Sequence, residues 1–147
     1  MPGLRPEDAE FDGSVPARIL IVEDEFLIAM ELEYRLIEAG IEVVGTAVTA
    51  EEAIAIAKSE KPDLAIMDIR LAGRRDGVDA AIELFSTYGI RSIFASAHAD
   101  TDTRRRAAPA SPIGWLQKPY PAEELLKLLA FYFQNRNGAC EAEAHSE

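Results

Sequence analysis

The sequence predicts an α/β protein: a doubly wound, five-stranded parallel sheet with helices on both faces. Short apolar runs alternate with longer helical patterns along the chain, which is typical of βα units. Three of these runs are nearly continuous, as expected for strands covered by helices on both faces. The chain has 147 residues, 48% hydrophobic and 28% charged, a length and composition that fit one globular domain.

Five short apolar runs predict the strands. They are Arg18–Val22, Glu42–Thr46, Asp63–Met67, Arg91–Ala95 and Ile113–Leu116. Right-handed crossovers between parallel strands leave few topologies, and a doubly wound sheet is the one favoured. Ligand sites in such sheets lie at the carboxyl ends of the strands, so the residues at the end of each run are the candidates for function.

Apolar residues at helical spacing predict the first two helices. The first covers Glu25–Ala39, and Gly40 stands where a C′ glycine would end it. Thr49 followed by Glu52 forms a capping-box pattern that opens the second helix. Pro62 requires that helix to end before it.

Three further helices follow. The third begins at Asp76 or Gly77 and ends at Gly89. The fourth pattern is weak, because residues 99–108 are polar and rich in arginine and two prolines follow closely. The fifth begins at Pro121, which suits the first turn, and acidic residues favour the same end of the helix.

Charge and cysteine content exclude several classes of function. The net charge of −11, from 26 acidic and 15 basic residues, argues against direct nucleic-acid binding, which relies on basic surfaces. No apolar run reaches the ~18 residues of a membrane span, and no signal peptide is visible, so we expect a cytoplasmic protein without a membrane partner. The single cysteine, Cys140, predicts neither a disulfide framework nor a cysteine metal site.

The two ends of the chain differ from its middle. Residues 1–16 and 135–147 are acidic, polar and without periodicity, so they are predicted to be flexible tails. A single domain is predicted over residues 17–134.

Acidic residues stand at the ends of the first and third predicted strands. Glu23 and Asp24 follow the first strand, and Asp68 follows the third. If these strands are neighbours, the carboxylates converge and raise one another's pKa, so the cluster needs a cation. Mg²⁺, which takes oxygen ligands from one or two carboxylates together with water, is the cofactor that suits such a site.

The fourth and fifth predicted strands end in a hydroxyl and a cation. The fourth ends in Ser96, and the fifth is followed by Lys118 and Pro119. The ammonium of Lys118 would pair with Asp68 at rest and with a phosphoryl group when one is present. Together these strand ends predict a phosphoryl-transfer site with an aspartate nucleophile.

The motifs that carry these residues are ILIVEDE, LAIMDIRL, FASAHA and WLQKP. Over residues 17–134 the chain resembles the receiver domain of bacterial response regulators, and in particular a stand-alone, chemotaxis-type receiver. The resemblance implies a flavodoxin-like fold with strand order 2-1-3-4-5. It also implies a Lys118-Pro119 bond in the cis form.

The resemblance assigns a role to each candidate residue. Asp68 would be the phosphoacceptor, Ser96 the switch hydroxyl and Lys118 the cation that pairs with phosphate. The remaining assignments are Glu23, Asp24 and Asp68 as metal ligands with the backbone carbonyl of Arg70, Trp115 in the place of the switch aromatic, and His98 where relatives tune hydrolysis. The Glu23-Asp24 pair departs from the commoner Asp-Asp pair.

The resemblance also implies partners and an output. A sensor histidine kinase or a phosphotransfer protein would donate the phosphoryl group. The signal would pass to a downstream protein through the face formed by the fourth helix, fifth strand and fifth helix. We expect no DNA-binding or enzymatic output domain, and no catalysis beyond self-phosphorylation and slow self-dephosphorylation. Arg104, Arg105 and Arg106 form a basic cluster that either docks an acidic partner or is a solvated helix face.

One alternative belongs to a different class of protein. A small Mg²⁺-dependent phosphatase or phosphotransferase could use Asp68 as its nucleophile on metabolites. Such an enzyme normally needs a general acid two residues past the nucleophile, where this chain has Arg70, and a cap over the substrate.

Overall fold

The sheet has the predicted five parallel strands. The computed structural model describes residues 17–146, and side-chain surroundings over residues 17–135. The strands are β1 (Arg18–Val22), β2 (Glu42–Ala47), β3 (Leu64–Asp68), β4 (Arg91–Ser96) and β5 (Gly114–Gln117). Their order is β2-β1-β3-β4-β5, so the predicted fold class and strand order are confirmed.

Five α-helices connect or follow the strands. They are α1 (Phe26–Glu38), α2 (Ala50–Glu60), α3 (Gly77–Tyr88), α4 (Thr101–Ala107) and α5 (Ala122–Ser146). A 3₁₀ turn, Ala108–Ala110, follows α4 directly and contains one of the two prolines that shorten this helix. In the described part of the chain, no helix is both long enough and apolar enough to cross a membrane.

Local signals set the helix ends. Gly40 has a φ of 86° directly after α1, a conformation that glycine adopts without strain. The Thr49 hydroxyl accepts the N–H of Glu52 at 3.0 Å. The carboxylate of Glu52 accepts the N–H of Val48 at 2.8 Å, one residue before the position of a standard capping box. At α3, Asp76 and Asp79 cap each other's N–H groups in a complete capping box.

The last helix runs further than the sequence suggested. Helix α5 continues to Ser146, whereas the predicted domain ends at residue 134. Residues 138–145 are rich in alanine and glutamate, which favour helix. The flexibility expected for residues 135–147 stays a prediction, and the N-terminal tail expected over residues 1–16 lies outside the described residues.

The sheet separates two apolar cores. Alternate strand residues point to opposite faces, so Leu20 and Met67 lie in one core while Ile19 and Ile66 lie in the other. The first core packs against α2, α3 and α4, and the second packs against α1 and α5. Both faces of the sheet are therefore covered, as the continuous apolar runs indicate.

Helix α1 buries less of its apolar surface than its sequence period suggests. Only Ala29 and Leu36 of this helix are buried. Five exposed apolar side chains lie on one face of α1: Phe26, Leu27, Met30, Tyr34 and Ile37. We call these five residues the α1 apolar surface.

A buried hydroxyl in β4 gives a first testable prediction. The Ser92 side chain is fully buried, and its Oγ has no hydrogen-bond partner among the described residues. Because a buried unpaired hydroxyl costs about 1–3 kcal/mol, we expect Ser92→Ala to raise the free energy of unfolding by about 1 kcal/mol. Urea denaturation measures this, and the exposed Ser59→Ala change is the control. A lower free energy of unfolding for Ser92→Ala would contradict the prediction.

Candidate functional site

Strands β1 and β3 bring the predicted acidic residues together. The two strands are neighbours, and Val22 pairs with Met67, so Glu23 and Asp68 occupy matching positions at their carboxyl ends. Glu23, Asp24 and Asp68 each offer a carboxylate oxygen, and these oxygens all lie within 4.8 Å of one another. The condition stated from the sequence, that the first and third strands are neighbours, is therefore met.

The burial of this cluster raises the pKa of Asp68. Glu23 is 5% exposed and Asp68 is 9% exposed, whereas Asp24 is exposed. Burial, and after it the Glu23 carboxylate, raise the pKa of the Asp68 carboxyl, and the Lys118 ammonium opposes them; the net result is a pKa of about 6. A cation in addition to Lys118 would offset the repulsion between these carboxylates. Three converging carboxylates are oxygen donors of the kind that Mg²⁺ takes, so the residues fit that ion.

Lys118 reaches this cluster from the end of β5. Its Nζ donates to Glu23 Oε1 at 2.6 Å and lies 3.4 Å from Asp68 Oδ2. Burial lowers the pKa of Lys118, but the hydrogen bond to Glu23 and the charges of both carboxylates outweigh burial and raise it. The sequence predicted a pair with Asp68, and the shorter contact is with Glu23.

The backbone beside Lys118 is fixed by β4. The Lys118 N–H donates to the Ser96 carbonyl at 2.8 Å. The Lys118-Pro119 peptide bond is cis, as expected. Lys118 and Ser96 are therefore neighbours at one edge of the sheet.

The Ser96 hydroxyl is engaged within its own loop. Ser96 is buried at the end of β4, one residue past Ala95, which pairs with Asp68. Its Oγ accepts the N–H of His98 at 3.1 Å and donates to the His98 carbonyl at 3.0 Å. Ser96 must exchange these partners before it can reach a group on Asp68. The residue predicted to tune hydrolysis, His98, is exposed.

Gly77 supports the main chain of Asp68, a role that the sequence analysis did not assign. A Cβ at this position would lie 1.8 Å from the Asp68 carbonyl oxygen. The Gly77 N–H donates to the Ile69 carbonyl at 2.7 Å. The available signal was a glycine at the first position of a helix, where it costs conformational entropy. Arg70 is exposed in the preceding loop, and the metal-binding role of its carbonyl stays a prediction.

Trp115 contacts an aromatic ring and a guanidinium. Its ring stacks on Phe94 with a centroid distance of 4.5 Å and an interplanar angle of 18°. The guanidinium carbon of Arg104 lies 4.9 Å from the Trp115 ring centroid. A cavity of about 110 Å³ lies next to this ring and is also lined by Ser96 and His98. Trp115 thus faces the same cavity as the loop that holds Ser96.

Most of the arginine cluster on α4 is used inside the domain. Arg106 forms ion pairs with Asp76 and Asp79 of the α3 capping box, and Arg104 contacts Trp115. Arg105 is exposed, 3.9 Å from Asp102. Of the three arginines considered as a docking site for an acidic partner, Arg104 and Arg106 are therefore already in contact with groups of the same domain.

The Arg104 contact gives a second prediction. Trp115 is the sole tryptophan of the sequence, so intrinsic fluorescence reports on its ring. We expect Arg104→Ala to shift its emission to longer wavelength and to lower stability by about 0.5–1 kcal/mol, because a cation over the ring is lost. Arg105→Ala, one residue away and without this contact, is the matched control. Identical spectra for wild type and Arg104→Ala would refute the prediction.

Comparisons with known proteins agree on one family. The model of the response regulator receiver domain matches residues 19–130. The transcriptional regulatory protein PdtaR of Mycobacterium tuberculosis is 42% identical over 115 residues, 78% of this chain and 56% of the relative. The phyllosphere-induced regulator PhyR of Methylorubrum extorquens is 35% identical over 139 residues, 93% of this chain and 51% of the relative. The chain spans about half the length of these curated relatives.

Solved structures show the same fold. A CheY-like response regulator receiver domain protein from Methanospirillum hungatei superposes with a TM-score of 0.78 at 25% identity, covering 85% of this chain and 99% of that chain. The response regulator PhyR from Brucella abortus gives a TM-score of 0.70 at 31% identity, covering 89% of this chain and 54% of that chain.

Proposed function

This chain belongs to the response regulator receiver family of two-component signal transduction, and we propose that Asp68 is its phosphoacceptor. One observation supports this assignment above the others. At the end of the central strand β3, Asp68 lies within reach of both the Glu23-Asp24 pair, which would hold a divalent cation, and the ammonium of Lys118. An anion that accepts a phosphoryl group needs cations on both sides of it.

The proposed reaction is phosphoryl transfer from a phosphohistidine. A carboxylate oxygen of Asp68 attacks phosphorus, the P–N bond breaks with its electron pair left on the imidazole of the donor histidine, and an aspartyl phosphate remains. Glu23, Asp24, Asp68 and the Arg70 carbonyl would hold Mg²⁺, which when bound offsets the charge of the phosphoryl group. Lys118 pairs with a phosphoryl oxygen from the other side.

The donor is proposed to be a sensor histidine kinase or a phosphotransfer protein in the cytoplasm. The α1 apolar surface begins three residues after Glu23. A cavity of about 460 Å³ lies on another side of α1 and is lined by Ile28, Leu32, Tyr120 and Lys118, among others. Exposed apolar side chains beside the acceptor are suited to a protein donor.

The output is proposed to be a changed protein-binding surface. A near-complete switch between two conformations needs about 5.5 kcal/mol of differential interaction. A hydrogen bond from Ser96 to the phosphoryl group contributes about 1.5–3 kcal/mol, so Lys118 must supply the rest. Their movement would change the face of α4, β5 and α5, to which Arg104 and Trp115 belong, and so present it to a downstream protein.

Receiver domains are signalling modules, and we propose no metabolic reaction for this one beyond its own phosphorylation and slow dephosphorylation. The metabolite phosphatase considered from the sequence would need a general acid two residues past Asp68. Arg70 occupies that position, and a guanidinium stays protonated.

Labelling with acetyl phosphate tests the assignment. Wild-type protein incubated with Mg²⁺ should gain one phosphoryl group, seen by intact-mass spectrometry and removed by hydroxylamine, which cleaves acyl phosphates. Asp68→Asn should gain none, while Asp102→Asn, which removes an exposed carboxylate on α4, should be labelled like wild type. Labelling that survives in Asp68→Asn, or repeated turnover of a small phosphomonoester, would reject the proposal.

A further inference from the structure

Glu23 holds Lys118 more closely than Asp68 does. The Lys118 Nζ donates to Glu23 Oε1 at 2.6 Å, whereas its distance to Asp68 Oδ2 is 3.4 Å. Glu23 is also pinned through its second oxygen, because Oε2 accepts the N–H of Glu25 at 3.1 Å. Both carboxylate oxygens of Glu23 are therefore in use, and one of them is in use with Lys118.

This arrangement gives Glu23 two competing partners. Glu23 and Asp24 are the acidic pair that would hold a divalent cation, and Lys118 is the cation that would pair with the phosphoryl group. An ammonium and a divalent cation on the same carboxylate oxygen lie within about 5 Å of each other and repel. Glu23 therefore cannot bind both at full strength.

The length of the side chain at position 23 makes the contact possible. The carboxylate of an aspartate would sit one C–C bond nearer to the backbone, about 1.5 Å. From there it would lose its short contact with Lys118, while the longer contact of Lys118 with Asp68, at 3.4 Å, would be left as it is in wild type. The glutamate in the first position of the acidic pair is thus tied to the position of Lys118.

We propose that Glu23 is a positioning residue that keeps Lys118 hydrogen-bonded to itself, as the closer of its two carboxylate partners, until a divalent cation binds. When Glu23 becomes a metal ligand it releases Lys118, which is then free to pair with the phosphoryl group. Metal binding and the availability of Lys118 are thereby coupled through one side chain. This inference rests on the proposed function, since it assumes that Lys118 pairs with a phosphoryl group on Asp68.

A double-mutant cycle on metal affinity tests the coupling. The four proteins are wild type, Glu23→Asp, Lys118→Met and the double variant, and the dissociation constant for Mg²⁺ is measured by titration calorimetry. Removing Lys118 relieves general charge repulsion and its 3.4 Å contact with Asp68 in every background. In the wild-type background it also frees Glu23, so Lys118→Met should tighten Mg²⁺ binding about tenfold there. In the Glu23→Asp background the gain should stay below about threefold. Equal factors in the two backgrounds would overturn the proposal.

A second measurement needs no variant and so does not depend on folding of Lys118→Met. In wild-type protein with ¹⁵N-labelled lysine, the Nζ resonance of Lys118 should move as Mg²⁺ is added, with the midpoint found by calorimetry. Matched additions of NaCl control for ionic strength. A Lys118 Nζ resonance that stays in place while Mg²⁺ saturates the protein would also overturn the coupling.

The proposed function and the role of Glu23 can fail separately. If wild-type protein binds Mg²⁺ and is labelled on Asp68 by acetyl phosphate, but the cycle shows equal factors, only the role of Glu23 is lost. If wild-type protein neither binds Mg²⁺ nor is labelled, the proposed function is lost, and the role of Glu23 is lost with it.

Discussion

Asp68→Asn is expected to stabilise the metal-free protein at neutral pH by as much as about 3 kcal/mol. Burial and the neighbouring Glu23 raise the pKa of the Asp68 carboxyl from 3.8 to about 6 in the folded protein. A shift of one pKa unit corresponds to about 1.4 kcal/mol, and the ionised form is the one that folding disfavours. Asparagine keeps the shape of the side chain without its charge.

The pH dependence of this gain has a defined direction. Because the folded pKa lies above the unfolded value, the cost of Asp68 is absent below about pH 3.8. It grows between that pH and about 6, and is complete above about 6. Wild type and Asp68→Asn should therefore unfold alike in acid, and diverge as the pH rises.

Thermal unfolding from pH 4 to 8 in EDTA measures this divergence. Asp24→Asn is the matched control, since it removes a carboxylate from the same cluster at an exposed position, and it should give a smaller gain. Added Mg²⁺ should stabilise wild type more than Asp68→Asn, because a ligand stabilises the state that binds it. An Asp68→Asn protein less stable than wild type at pH 7 would contradict the account of the cluster.

Gly77→Ala is expected to destabilise the fold by at least about 3 kcal/mol, or to prevent folding. The added Cβ would lie 1.8 Å from the Asp68 carbonyl oxygen and 2.8 Å from the Asp68 carbonyl carbon. Both contacts are with backbone, which cannot rotate away as a side chain can. The N-terminus of α3 or the end of β3 would have to move, and Asp68 would move with it.

Gly40→Ala separates this clash from the general cost of replacing a glycine. Gly40 has open space around it and a φ of 86°, so alanine there should cost only about 1–2 kcal/mol of backbone strain. Urea denaturation of both variants compares the two effects. A Gly77→Ala protein within about 0.5 kcal/mol of wild type would show that the packing against Asp68 is not tight.

The fold was predictable because its signals are local or periodic. The apolar run RILIV and its counterparts predicted strands to within a residue at each end. A strand that is covered on both faces needs apolar residues at successive positions, because these point alternately into the two cores. Asp76 and Gly40 marked helix ends through hydrogen bonding and a positive φ, which depend on neighbours in the chain. The continuation of α5 past residue 134 was not predicted, because polarity alone does not distinguish a polar helix from a tail.

The composition of the site was also predictable. The ends of parallel strands meet at one edge of a sheet, so residue types at those ends predicted carboxylates, a hydroxyl and a cation. The apolar positions of α1 were less informative. Phe26 and Ile37 fit the helical period yet are exposed, because the buried stripe of this helix is narrower than the band of apolar residues that its sequence contains.

The sequence by itself determined the fold class, the strand order implied by its family resemblance, and the set of groups at the strand ends. Only the tertiary structure decided how those groups are paired. Lys118 and Glu23 are 95 residues apart, and the choice between Glu23 and Asp68 depends on about 1 Å of side-chain reach. The packing of Gly77 against the Asp68 main chain and of Arg104 on the Trp115 ring also joins residues from separate elements. Pairings of this kind follow from distances between separate elements, which no local pattern in the chain encodes.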